Sequence, residues 1–240
     1  MNAKFKVPLI AFMYFVAGAL LGSFAGWTYA RGLGDQSLLD AFHRWYHAKN
    51  EEESMPNWLG HPFWKCPLDA WVYQEIIFDT KPDVLVEAGT YKGGSALYFA
   101  SIFDLMGRGR VLSIDINDYH PPQHPRIVYL LGSSTSTEVF QRIKSSIRPG
   151  ERVMVSLDSD HHKDHVLSEL KLYGPLVTPG CYMVCEDTDI NGHPLIDNWG
   201  PGPMEAVVEF LKTNRDFTQD RSREEFGLTM FPGGWLKCVR

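Results

Sequence analysis

Apolar residues along this chain recur with two periods. Short β-branched runs, Val84-Leu85-Val86, Val111 to Ile114, Ile127 to Leu131, Val153 to Leu157 and Cys181 to Cys185, each stop at acidic, glycine or hydroxyl residues, which is the pattern of buried strands. Between them the apolar positions take helical spacing, from Ala96 to Met106 and through Val166, Leu167, Leu170 and Leu172. Pro67 opens a helix running through Trp71 and Ile76, and Pro203 opens an amphipathic one with Ala206, Val207, Phe210 and Leu211. Asp35 to Glu53 carries Leu38, Leu39, Phe42, Trp45 and Tyr46 on one helical face. Strands alternating with helices predict an α/β, Rossmann-like fold with a mostly parallel central sheet and helices on both faces. Phe226 to Met230 and Trp235 to Val239, about Pro232-Gly233-Gly234, read as a C-terminal antiparallel hairpin.

Ahead of this pattern, Val7 to Ala30 holds no charge over about 24 residues, enough to cross a bilayer and longer than the apolar region of a signal peptide. It predicts an N-terminal transmembrane helix. Gly18, Gly22 and Gly26 recur at the spacing that lets two such helices approach, which allows a homo-oligomer. Lys4 and Lys6 before the run nearly balance Arg31, Arg44 and Lys49 after it, so charge leaves the orientation open. The expected organisation is an anchor over residues 1–34, a helical lead-in and possible pocket cover over 35–80, and the sheet domain over 81–240.

The 240 residues, 44% hydrophobic, are enough for one substantial core. A net charge of -6 argues against a nucleic-acid-binding face. Four scattered cysteines form neither a disulfide framework nor a zinc pattern.

Chemistry gathers where the apolar runs stop. The run ending at Leu157 gives way to Asp158-Ser159-Asp160-His161-His162, and the run ending at Cys185 to Glu186-Asp187. A helix between them makes a βαβ crossover, so Asp158, Glu186 and Asp187 converge at the carboxyl edge, where ligands of open α/β sheets bind. Clustered carboxylates suit Mg²⁺ or a similar hard ion. Asp160, two residues into the turn, is placed to cap the following helix, and His161 to act as general base beside Asp158. The first strand delivers Glu87, Gly89, Thr90, Gly93 and Ser95 in a turn leading to a helix amino terminus, a nucleotide-type loop. It has neither the dinucleotide nor the P-loop spacing. Asp115 ends the second strand, where an acid accepts from ribose hydroxyls, and Ser133, Ser134 and Thr135 end the third, within reach of an adenine edge. Trp58, Phe63 and Trp64 could line an acceptor pocket or pack on the sheet, and the stretch from Asn191 to Pro203 could form a lid.

The stretches PLDAWVYQEII, VEAGTYKGGSALYFA, LSIDI, HPRIVYLLGSS, LDSDHHKDHVLSEL, YGPLVTPGCYMVCEDTDINGHP and GPGPMEAVVEFL occur in this order from about Trp58 onward. Together they resemble the cephalosporin hydroxylase and rhamnosyl O-methyltransferase family, built on the class I S-adenosylmethionine-dependent methyltransferase fold. The resemblance implies that Glu87, Gly89 and Asp115 bind the methyl donor, with Ser134 near the adenine, and that Asp158, Glu186 and Asp187 hold Mg²⁺. Catechol-type methyltransferases end their second acid cluster in Asp-Asn, whereas this chain has Glu-Asp. The Val7 to Ala30 run lies outside the resemblance.

The expectation is an enzyme that methylates a hydroxyl of a small molecule or glycan, of natural-product or glycolipid type, membrane-anchored with its catalytic domain in the cytosol where the methyl donor is made. A membrane-tethered non-catalytic binding protein and a nicotinamide-dependent oxidoreductase are the rivals. Donor and metal, neither, or nicotinamide would bind in the three cases.

Overall fold

The structure, a computed structural model, describes residues 35–49 and 56–240. The expected membrane run Val7 to Ala30 lies outside the described residues, and among those described no helix is long and apolar enough to cross a membrane. Chain contacts divide at residues 45 and 46. Helix α1 (Asp35–Lys49) spans that division, and the rest of its expected extent, residues 50–53, lies outside the described residues.

The unit from Tyr46 onward is a seven-stranded sheet with helices on both faces. A two-stranded ribbon, β1 (Asn57–Trp58) and β2 (His61–Pro62), leads into α2 (Pro67–Thr80), which starts on its proline. Then follow β3 (Val84–Ala88), α3 (Gly94–Met106), β4 (Arg110–Asp115), β5 (Ile127–Leu131), α4 (Thr137–Ser146), β6 (Val153–Leu157), α5 (Lys163–Tyr173), β7 (Tyr182–Cys185), α6 (Pro203–Thr213), β8 (Phe217–Gln219) and β9 (Trp235–Cys238). The spatial order is β5-β4-β3-β6-β7-β9-β8, with β9 alone running antiparallel to its neighbours.

Alternation along the strands decides which layer each side chain joins. Val84, Val86, Ala88, Val153, Val155 and Leu157 face α4, α5 and α6, with Ile143, Leu170 and Phe210. Leu85, Val111, Met154 and Val184 face α2 and α3, with Ile76, Ile77, Phe99 and Phe103. α2 is therefore a layer of the sheet unit, although it falls within the 35–80 lead-in expected from sequence. Both faces being covered explains why the parallel strands read as nearly unbroken apolar runs.

The hairpin needs correction. The partner of β9 is β8, with Phe217 opposite Cys238, while Phe226 to Met230 forms turns. That stretch is apolar because it packs as a loop: Leu228 and Phe231 are buried, and the Met230 amide donates to Asp69 on α2 at 2.9 Å. Helix α4 has no counterpart among the elements expected from the apolar pattern. It is capped by Ser136, whose hydroxyl accepts from the Val139 amide.

Candidate active site

Four parallel strands end side by side, and their last residues build the site. Leu157 pairs with Cys185, so Asp158 and Glu186 leave the sheet at equivalent points of neighbouring strands. Asp158 donates its amide to the Ala88 carbonyl and Glu186 its amide to the Leu157 carbonyl, so β3, β6 and β7 stay laced to their ends.

On the β3–β4 side, Glu87 stands opposite Ser113, whose hydroxyl donates to Glu87 Oε2 at 2.6 Å. Glu87 is fully buried, and its Oε1 has no hydrogen-bond partner among the described residues. Burial pushes this carboxyl up to about 7 against the pull of Lys65 and Ser113. Thr90 shares a hydroxyl contact with Ser113 at 2.6 Å. Asp115 accepts from the Tyr91 amide at 2.7 Å and the Asn117 amide at 2.9 Å. It lines a cleft of about 220 Å³ with Thr90, Tyr91, Asn117 and Leu131. A cleft of about 270 Å³ lies at the far end of α5, away from the carboxyl edge, and is lined by Lys171, Pro175, Phe210 and Arg240. We place donor binding at the smaller one because it opens at the carboxyl edge of the sheet beside Asp115.

The glycines of the first loop serve the chain's own close packing. A Cβ on Gly89, at φ +100, would lie 1.8 Å from the Asp158 carbonyl oxygen, and one on Gly93 would meet the Pro121 side chain at 2.6 Å. Ser95 is buried in the first turn of α3. Ser134 bonds the His165 ring at 3.1 Å through its hydroxyl and the Tyr173 hydroxyl through its carbonyl. His165 in turn lies 3.4 Å from Glu169.

On the β6–β7 side, ligand atoms of Asp158, His161 and Asp187 lie within 4.8 Å of one another. His161 Nε2 is 3.4 Å from Asp187 Oδ2, and Asp187 sits at φ 51, a left-handed conformation that aspartate tolerates at a cost. Glu186 is 2% exposed and turns to another set of partners. Its Oε1 accepts from Tyr73 at 2.7 Å and Ser156 at 2.5 Å, and its Oε2 accepts from Lys65 at 2.6 Å. Lys65 also donates to Asp158 Oδ2 at 2.9 Å, so one ammonium joins the two acids. Asp160 turns away and accepts from the His162 amide at 2.7 Å. The N-cap position of α5 is His162, which makes no side-chain cap, so Asp160 braces the turn before the helix.

Burial raises the pKa of Asp158, Glu186 and Asp187, the last to about 6. Burial works to lower His161, but the Asp187 and Asp158 carboxylates outweigh it and hold the imidazole above its ordinary value. Lys65 follows the same logic: burial opposes its charge, while Asp158, Glu186 and Glu87 more than restore it. Lys65 is thus stably charged, yet the acids it serves stay raised, because the carboxyls crowded at this edge outnumber the cationic groups, Lys65 and His161, that face them.

Lys65, Tyr73 and Ser156 are the residues the pattern reading missed. A lysine set between Phe63-Trp64 and Cys66 was the available signal, since a lysine is almost never fully buried unless it is paired. Of the three aromatics before α2, Phe63 is buried and Trp58 packs edge-on to Tyr98, while Trp64 remains 57% exposed.

A family model described as Rhamnosyl O-methyltransferase/CmcI matches residues 51–239. The rhamnosyl O-methyltransferase of Mycobacterium bovis (strain BCG / Pasteur 1173P2) is 37% identical over 227 residues, covering 90% of this chain and 91% of its own. That of Mycobacterium leprae (strain TN) is 36% identical over 208 residues, covering 83% and 90%. Among solved structures, the apo form of CmcI superposes with a TM-score of 0.62 at 21% identity, covering 79% of this chain and 78% of that one. A Mg-SAM form of CmcI gives 0.62 at 21%, covering 77% of each. The structural likeness establishes the class I methyltransferase fold, and the sequence matches establish the lineage: the chain belongs to the rhamnosyl O-methyltransferase/CmcI family.

Proposed function

We propose that the chain is an S-adenosylmethionine- and Mg²⁺-dependent O-methyltransferase that acts on a sugar hydroxyl of a glycolipid or natural product. The observation that carries this is the convergence of Asp158, Glu186 and Asp187 on the strand edge that also presents Glu87 and Asp115. The donor set fits both ligands. Three carboxylates suit a hard divalent ion, and a buried carboxylate oxygen without a partner, Glu87 Oε1, fits an amino acid ammonium such as the donor carries.

When bound, the ion lowers the pKa of an acceptor hydroxyl and the sulfonium donor supplies the methyl group. Asp158 and Asp187, whose ligand atoms cluster with that of His161, would hold the ion, joined by Glu186 once it turns from Lys65; a hard ion prefers oxygen, so we assign His161 to the proton. Its Nε2 accepts the hydroxyl proton, and the Asp187 and Asp158 carboxylates that raise its pKa then stabilise the imidazolium. Asp115 accepts from the ribose hydroxyls, while the Tyr91 and Asn117 amides fix its carboxylate in place. Gly89, Thr90, Gly93 and Ser95 shape the loop beside it, and Ser134 lies toward the adenine.

The relatives' name points to a rhamnosyl acceptor, and two aromatic side chains near the acids suit the apolar face of a sugar. Trp64 is exposed next to Lys65, and Trp199 donates its Nε1 to the His161 carbonyl at 3.1 Å. The apolar run Val7 to Ala30 supports membrane attachment, with the catalytic unit on the cytosolic side where the donor is made. Incubating purified chain with donor, MgCl₂ and rhamnosylated glycolipids should give products heavier by one CH₂ in mass spectrometry. Tight nicotinamide binding with no methylated product would instead favour an oxidoreductase.

A further inference from the structure

Lys65 enters the acid cluster from a part of the chain that is distant in sequence. The loop between β2 and α2 is fixed around it, with Phe63 and Cys66 buried on either side and the Pro62 carbonyl packed against Gly94. The side chain itself is 2% exposed, and its ammonium contacts two carboxylates, Glu186 at 2.6 Å and Asp158 at 2.9 Å. Those same carboxylates belong to the set assigned to the divalent ion. Asp158 is already shared, since a carboxylate oxygen of it lies within 4.8 Å of ligand atoms of His161 and Asp187.

A cation held this way solves one problem and creates another. Without it, the buried Glu186 and the partly buried Asp158 would stand at adjacent strand ends with too little positive charge, which is destabilising. With it, an incoming ion meets acids that are already occupied. A lysine suits exchange better than an arginine, because it is a point charge on a flexible four-carbon stem and is not locked in a bidentate fork. Tyr73 and Ser156 grip only Oε1 of Glu186, so Oε2 is bonded to Lys65 alone and becomes available if the ammonium withdraws.

We propose that Lys65 is a resident counter-cation that occupies the Asp158–Glu186 pair in the metal-free enzyme, and that divalent-ion binding displaces its ammonium from Glu186. The affinity of the site for the ion is then set by an exchange of one cation for another. Lys65 acts through the two acids and is a positioning residue. This rests on the divalent-ion reading of the site, which the test examines separately.

MgCl₂ and MnCl₂ are titrated calorimetrically into the full chain and into Lys65→Met, without methyl donor. In parallel, acylation of Lys65 by an amine reagent is read by mass spectrometry with and without MgCl₂. Removing a competing unit charge a few ångströms from the ion should tighten binding by roughly tenfold or more. In the unmodified chain, Lys65 should become several-fold more reactive once the ion is bound. A variant that lost only structural support would bind the ion more weakly. If Lys65→Met does not fold, the labelling of the unmodified chain decides alone. Ion binding that leaves Lys65 labelling unchanged overturns the inference, as does unchanged or weakened affinity in a folded Lys65→Met. An unmodified chain that binds neither ion overturns the divalent-ion reading itself.

Discussion

Asp115 and Glu186 both lie where strands of the same sheet edge end, but their carboxylates are held by different kinds of partner. Asp115 is fixed by two backbone amides, one of them only two residues away. Glu87 beside it is bonded by Ser113, its register partner on the next strand. On the other half of the edge, Glu186 is held by Lys65 from 121 positions away and Tyr73 from 113, and Asp158 by the same lysine from 93. Backbone amides cannot leave without unfolding a turn, so the first half is preorganised for a ligand that donates hydroxyl or ammonium hydrogens. A lysine side chain can leave, so the second half is built to trade one cation for another.

If that division is right, the largest loss follows from emptying the exchangeable half. Asp158→Asn and Glu186→Gln should each lower methyl transfer by about 100-fold or more, since ion-mediated charge stabilisation is worth several kcal/mol. Titrating MgCl₂ against turnover checks this, and full turnover after chelation would mean the acids serve no ion. Gly89→Ala strikes where the halves touch. Its Cβ would lie 1.8 Å from the Asp158 carbonyl, and its φ of +100 is unsuited to alanine. Steric and backbone strain together predict a loss of about 3 kcal/mol in denaturant unfolding. Asp115→Ala tests the preorganised half alone. It should weaken donor binding by about 1–3 kcal/mol by calorimetry with ion affinity unchanged; a change in ion affinity would show that the halves are not separate.

This same division explains what the sequence made legible. The strands from Val84 to Cys185 announce themselves because burial on both faces makes them continuously apolar, and the acids that stop them are visible as sharp boundaries. Asp115 is the last residue of an apolar run and one of its amide partners, Asn117, is two positions on, so its placement at a strand end could be read directly. Lys65 and Tyr73 reach Glu186 only through tertiary packing, and no period along the chain connects them. The loop glycines were visible, but their reason was not: the space beside Gly89 is filled by Asp158, 69 positions later, and that beside Gly93 by Pro121. The final hairpin failed for a related reason. Phe226 to Met230 is apolar and adjacent to β9, yet β8 takes the pairing while that segment packs on α2 through Asp69.

The smallest predicted effect sharpens the comparison at a single turn. Asp158 and Asp160 are two residues apart and both acidic, but only Asp158 contacts Lys65. Asp160 accepts from the His162 amide at 2.7 Å and its ring at 2.9 Å, with 47% of its side chain exposed. Slight burial works to raise its pKa, and the His162 amide outweighs this and holds it below the ordinary 3.8. A depressed carboxyl adds stability above its unfolded value, and that contribution fades as pH falls through its lower folded value. Asp160→Asn should therefore cost at most about 1 kcal/mol near pH 7, discounted for solvent screening, as a partly exposed charge-assisted hydrogen bond does. The gap between variant and parent in thermal unfolding should narrow as the pH is taken below about 4, where the parent's carboxyl also loses its charge. The metal response of turnover should be unchanged. If Asp160→Asn abolishes that response while Asp158→Asn retains it, the exchangeable half is centred on the turn and Lys65 guards the wrong acid.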